Sequence, residues 1–138
     1  MGTVAYGVRD AGQKVTRALP NGSANVTSSA LDLQNSSRGS FLAAAELLIS
    51  APAMGATPMP DAKTMKYDII HSDNADLSSS ATLFAAAITQ TGASGAGCAA
   101  ATFRWKPPSD VKRYIGVKAT GSAAGDATAS SFTIEMLF

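Results

Sequence analysis

The chain has 138 residues, 46% of them hydrophobic and 15% charged, with eleven Lys and Arg against ten Asp and Glu for a formal net charge of +1. That length suits one domain with a single two-layer core and leaves no room for a second catalytic domain. The near-zero balance excludes a global field that would draw the protein to nucleic acid or an anionic membrane, so a partner must be met by shape or by local patches.

Residues 1–24 read as an arm. Gly2, Gly7, Gly12, Pro20 and Gly22 break every short apolar run, while Arg9, Lys14 and Arg17 supply local positive charge. A short strand fits Lys14 to Leu19, although neither of its faces is cleanly apolar. The sandwich domain is expected over residues 25–138. It opens with a strand over Val26 to Leu33, closed by a polar turn over residues 34–39. Ala43 to Ser50 contains good helix formers, but the run is short, Pro52 stops it, and Leu47 and Ile49 share a face in an extended chain, which favours a strand. Pro58 and Pro60 then stiffen a loop.

Thr64 to His71 alternates clearly, with Met65, Tyr67 and Ile69 on one face and Lys66, Asp68 and Ile70 on the other. A polar turn, His71 to Asp76, precedes a strand over Thr82 to Gln90 that is apolar on both faces. Gly92 to Gly97 reads as a flexible loop tip. Cys98 to Trp105 is the next strand, with Phe103 and Trp105 on one face and Arg104 and Lys106 on the other. The last two strands, Arg113 to Ala119 and Ser131 to Phe138, flank a segment rich in turn formers, Gly121 to Asp126. That spacing predicts an antiparallel pair with the terminal Phe138 tucked into a sheet. Seven or eight short strands separated by Gly, Pro, Ser and Asp clusters predict an all-β, antiparallel sandwich or barrel.

The chemistry-bearing residues are sparse. Cys98 is the one cysteine, so no intrachain disulfide forms, and its alanine neighbours do not activate a thiol. His71 is the one histidine, so a triad or a His-ligated metal cluster has a single candidate. The nearby Asp68, Asp73 and Asp76 invite a cation site, but they lack calcium-loop spacing and suit ordinary turn chemistry. No phosphate loop, nucleophile elbow or paired-cysteine motif is present, and the chain is expected to be neither an enzyme nor a cofactor or metal carrier. No apolar run approaches the ~18 residues of a bilayer span, and the first residues lack a signal-peptide build, so a soluble, unprocessed chain is expected. The sequons at Asn21, Asn25 and Asn35 are what a Ser/Thr-rich chain yields by chance.

Arg104, Lys106, Lys112, Arg113 and Lys118, interleaved with Phe103, Trp105 and Tyr114, form a basic-aromatic set of the kind that holds single-stranded nucleic acid. Alternation instead sends the aromatic rings to the core and the cations outward, so no nucleic-acid partner is expected. Tyr114, just after a turn, suits a tyrosine corner, whose hydroxyl bonds back to the corner backbone.

A strand over Phe103 to Lys106, then Pro107-Pro108 and a polar turn, then Arg113-Tyr114-Ile115-Gly116-Val117, a Gly-rich turn and a closing strand resemble the cement-protein family of tailed bacteriophages typified by the Bordetella phage capsid-stabilising protein. Asn25 to Leu33, and Lys66 to Leu83 with its Ser72-Asp73-Asn74-Ala75-Asp76 turn, fit the same layout. The resemblance implies a jelly-roll-like sandwich that forms homotrimers on the outer surface of a capsid, where it clamps neighbouring copies of the major capsid protein. Arg9, Lys14 and Arg17 are then the candidate capsid contacts. Two other classes compete. A lectin-like or fibronectin-like module on a virion or cell surface would bind carbohydrate through Trp105 or Tyr67, and a small esterase or nuclease would need His71 in a pocket beside a nucleophile or metal.

Overall fold

A computed structural model describes residues 9–33, 45–122 and 125–137, with the backbone alone for residues 9–13. Nine strands run through them: β1 (Arg9–Ala18), β2 (Asn25–Thr27), β3 (Leu31–Asp32), β4 (Glu46–Ala51), β5 (Thr64–Ser72), β6 (Ala81–Thr91), β7 (Ala101–Trp105), β8 (Tyr114–Gly121) and β9 (Ser131–Leu137). One sheet has the order β1-β9-β4-β7. The other has the order β2-β8-β5-β6, with β3 also on β8, and the strand pairs of both sheets are antiparallel. With β2 and β3 counted as one interrupted strand, this is the eight-strand, two-sheet jelly-roll order, and the expected fold class holds.

Alternation builds the core. Phe132, Ile134 and Met136 of β9 and Leu47 and Ile49 of β4 are fully buried, as are Met65, Tyr67 and Ile69 of β5 and Ile115, Val117 and Ala119 of β8. The Tyr67 and Phe132 rings meet edge to face, 5.5 Å apart at 74°. Each such large apolar side chain contributes about 1.5–3 kcal/mol through burial, so the inter-sheet layer dominates the stability of the sandwich.

Four sequence expectations change. β8 and β9 do not pair: they are inner strands of opposite sheets, so the chain between them crosses from one sheet to the other. Sheets pack about 10 Å apart, a distance that a connection of this length spans easily at about 3.3 Å per residue. The strand expected over Val26 to Leu33 breaks in two. Ser28 turns inward between the halves, its N–H donating to the Val117 carbonyl (3.0 Å) and its Oγ accepting the Val117 N–H (3.1 Å). The Gly92 to Gly97 tip is tied down on its neighbours. Cys98 and Met54 exchange backbone hydrogen bonds of 2.9 and 3.0 Å, and Gly95 N–H donates to Asp61 Oδ1 at 2.8 Å. Gly97 has φ +74°, and a Cβ there would lie 1.9 Å from the Met54 carbonyl oxygen. Finally, residues 9–18 belong to the sandwich as β1, paired with β9 from Arg9↔Leu137 to Ala18↔Ser131. The short strand read at Lys14 to Leu19 is the regular half of β1, and a poor apolar face is what an edge strand shows. Phe138 and the polar turn at 34–39 lie outside the described residues.

Both outward faces also hold buried residues. Leu48 and Glu135, paired in register on the side away from the inter-sheet core, are 7% and 3% exposed. On the other sheet, the 73–80 turn folds back so that Leu77, with φ +60°, covers Gly116, where a Cβ would come within 2.4 Å of Leu77 Cδ1.

Candidate functional site

The sandwich has two contrasting edges. On one side the terminal strands β6 and β7 of the two sheets run next to each other, and Phe84 of β6 bridges the gap. Its ring lies 5.3 Å from Phe103 and 6.1 Å from Trp105, the latter edge to face. Phe84 is 38% exposed, and Phe103 and Trp105 are half-buried. The expectation that Phe103 and Trp105 turn toward the core while Arg104 turns outward agrees with the alternating exposure of β7.

Along β6 the ladder with β5 is irregular on either side of Ile69, and Ala86 takes φ +51°. The bulge is clamped from β5, where Asp68 Oδ1 accepts the Ala86 N–H at 2.7 Å. Asp68 therefore serves the backbone of the edge strand, and the bulge shifts Phe84 into register opposite Ile69. Bulges of this kind blunt an edge, yet β6 carries no charged residue over its 11 positions. The uncharged run extends from Leu77 through Phe103, which takes in the whole of β6, the connecting loop and the first half of β7. The signal for this edge in the sequence is an absence of charge, which no motif marks.

The opposite edge is basic. Arg9, Lys14 and Arg17, the candidate capsid contacts, all fall on β1. Lys14 pairs in register with Glu135 and Arg17 with Phe132, so the two exposed side chains leave opposite faces of the strand and straddle the edge of the sheet. Arg9 holds the far end of β1, opposite Leu137.

The remaining candidates are absorbed by structure. His71 lies one residue before the end of β5, and its Nδ1 accepts the Lys112 N–H at 3.1 Å, with Lys112 Nζ 3.5 Å from Asp73. Partial burial and the Lys112 charge push the imidazole below its ordinary pKa, with Asp110 and Asp73 opposing. Asp76 and Asp126 cap their own turns, accepting N–H groups from Ser78 and Thr128 at 2.9 Å, and these bonds hold both carboxyls below the usual carboxylate range. Among the described residues no group of three His, Cys, Asp or Glu side chains could hold a metal ion. Cys98 is half-buried, and burial raises its thiol pKa.

Tyr67 is fully buried and cannot reach a glycan. Its hydroxyl donates to Gln90 Oε1 at 2.9 Å, and Gln90 Nε2 donates to the Pro52 and Ala99 carbonyls at 2.8 and 2.9 Å, which ties β5 through β6 to the loop before β5 and the loop after β6. The basic-aromatic set is dispersed by carboxylate partners. Arg104 lies 3.7 Å from Glu46, and Arg113 makes a forked pair with Asp32 at 2.8 and 2.9 Å. That guanidinium also lies 5.1 Å from the Tyr114 ring centre, so the ring serves as a platform for Arg113.

No protein-family model matches the chain, and no curated protein shows significant similarity to it.

Proposed function

We propose that the protein is a structural component of a virion: a decoration, or cement, protein that docks on the outer surface of a tailed-phage head and braces neighbouring major capsid subunits. The observation that carries this reading is the contrast between the two edges of the sandwich, a basic β1 edge with exposed Lys14 and Arg17 and a β6 edge that carries no charge and exposes Phe84. Such a body acts by surface burial, and many weak contacts gain strength from valency on an icosahedral lattice. The sequence resemblance over Phe103 to Val117 and the closing strand points the same way. The polar clusters of the described sandwich are spent on turns, bulges and strand ties, which supports docking over catalysis.

In this reading Arg9, Lys14 and Arg17 meet acidic ground on the shell. The test is cosedimentation of purified protein with heads that lack it, comparing wild type with Arg9→Glu/Lys14→Glu/Arg17→Glu. Wild type is expected to pellet with the heads, less so as salt rises, and the triple variant to stay in the supernatant. Equal pelleting of both would remove β1 from the contact, and no pelleting of wild type would remove the capsid reading.

A further inference from the structure

We infer that Asn21 is a modification site, where the folded protein converts a side-chain amide to an acid without an enzyme. Asn21-Gly22 is the one Asn-Gly pair in the chain. The Gly22 backbone nitrogen attacks Asn21 Cγ, the new C–N bond closes a succinimide ring, and the side-chain nitrogen leaves as ammonia, taking the Gly22 proton. Water then opens the ring at either carbonyl, which gives aspartate or, with the main chain rerouted through the side chain, isoaspartate. Nucleophile and target are neighbours in the chain, so only their orientation has to be found. Glycine favours the attack because no Cβ shields its nitrogen and its backbone reaches positive φ freely.

The geometry separates Asn21 from the other described asparagines. It is exposed at the start of the turn between β1 and β2, where Gly22 has φ +67°, the positive φ of the first central residue of a II′ turn. The Ala24 N–H donates to the Asn21 carbonyl and the Gly22 N–H to the Gly125 carbonyl, both at 3.4 Å, beyond the usual range of about 2.7–3.2 Å. The attacking nitrogen is thus weakly held, and the Asn21 side chain makes no hydrogen bond to the described residues. Asn74, in contrast, donates from Nδ2 to the Ser78 carbonyl at 3.2 Å and from its backbone N–H to Ser72 Oγ at 3.0 Å. Asn25 lies in β2, paired with Thr120 and followed by the branched Val26.

The product has a defined neighbour. Asn21 faces Asp126 across an antiparallel bridge, so the reaction sets a second carboxylate opposite the first and lowers the formal net charge by one from +1. Asp126 Oδ1 already accepts the Thr128 N–H and hydroxyl at 2.9 and 2.6 Å, which fixes it beside the new charge.

The test is incubation of the folded protein in mildly alkaline buffer, followed by peptide mapping with mass spectrometry that resolves aspartate from isoaspartate, with the chain unfolded in urea as reference. Folded wild type is expected to lose the Asn21 amide while Asn25 and Asn74 keep theirs, and to elute as a more acidic species on ion exchange. A folded protein that keeps the Asn21 amide while the unfolded chain loses it, or that loses the Asn25 or Asn74 amide as fast, overturns the inference. Thermal melts of Asn21→Asp, Asp126→Asn and the double variant test the consequence. The double variant is expected to lose less Tm than the two single losses added, because the new carboxylate then faces no charge. Additive losses would overturn the opposition to Asp126. No capsid enters either readout, so both results are independent of head binding.

Discussion

Replacing Gln90 by Leu probes the polar tie that joins the neutral edge to the core. Gln90 is 4% exposed and makes three hydrogen bonds: it accepts from the Tyr67 hydroxyl and donates to the Pro52 and Ala99 carbonyls. Leucine keeps most of the volume and removes all three. The Tyr67 hydroxyl is then sealed in without an acceptor, at a cost of about 1–3 kcal/mol, and each carbonyl, being closer to solvent, adds about 0.5–1 kcal/mol. Leucine's apolar burial offsets about 1 kcal/mol. The net loss is about 2–3 kcal/mol, a large share of the ~5–15 kcal/mol that holds a domain together, and about 10 °C in Tm.

Tyr67→Phe alone is expected to cost about 1–2 kcal/mol, since it leaves Gln90 Oε1 without its donor. The double variant removes both partners of that bond, so it should be less destabilised than the two single losses added, by about 1–2 kcal/mol. Urea unfolding followed by Trp105 fluorescence measures all four proteins. Strict additivity would refute the reasoning, because it would mean that the hydroxyl and the amide do not depend on one another.

Other outcomes follow from the same contacts. Gly97→Ala is expected to lower Tm by more than 10 °C in a thermal melt, because the new Cβ meets the Met54 carbonyl and the φ of +74° disfavours any side chain. Asp32→Asn keeps the shape of the Arg113 tie but removes its charge; a small loss of stability in urea is expected, and 0.5 M salt should shrink the wild-type advantage. The lowered pKa of His71 means that the unfolded chain takes up a proton more readily than the folded one. Its contribution is complete above the ordinary imidazole pKa near 6.5 and declines as pH falls below it, so His71→Asn should flatten the stability-versus-pH curve below about pH 6.5. Tyr67 works in the opposite sense. Burial raises its pKa, so the neutral phenol's contribution is present below pH ~10 and lost above it, and Tyr67→Phe should remove that alkaline loss.

The strands were legible wherever one face is apolar and the other wet. Met65, Tyr67 and Ile69, and Phe132, Ile134 and Met136, declare their buried face by period alone. The sheet to which a strand belongs was not legible, because alternation reports burial and not partnership. β8 and β9 therefore suggested a hairpin, whereas each is an inner strand of a different sheet. β1 was faint because an edge strand exposes Lys14, Thr16 and Arg17. Ser28 read as one more strand position, since its bonds to Val117 depend on a partner 89 residues away. Of the candidate site, Lys14 and Arg17 were found by charge, but their opposite faces required the β1–β9 register. The neutral edge was readable as the uncharged run from Leu77 to Phe103, and its meaning depended on knowing that β6 and β7 are both terminal strands.

The most direct measurement of the central claim is cryo-electron microscopy of decoration-deficient heads incubated with the purified protein, with bound copies counted after icosahedral averaging. The expected result is sandwich-shaped density on the outer surface at the three-fold and quasi-three-fold positions, with β1 toward the shell. Bare heads at every symmetry axis, under conditions where the protein is folded and in excess, would contradict it.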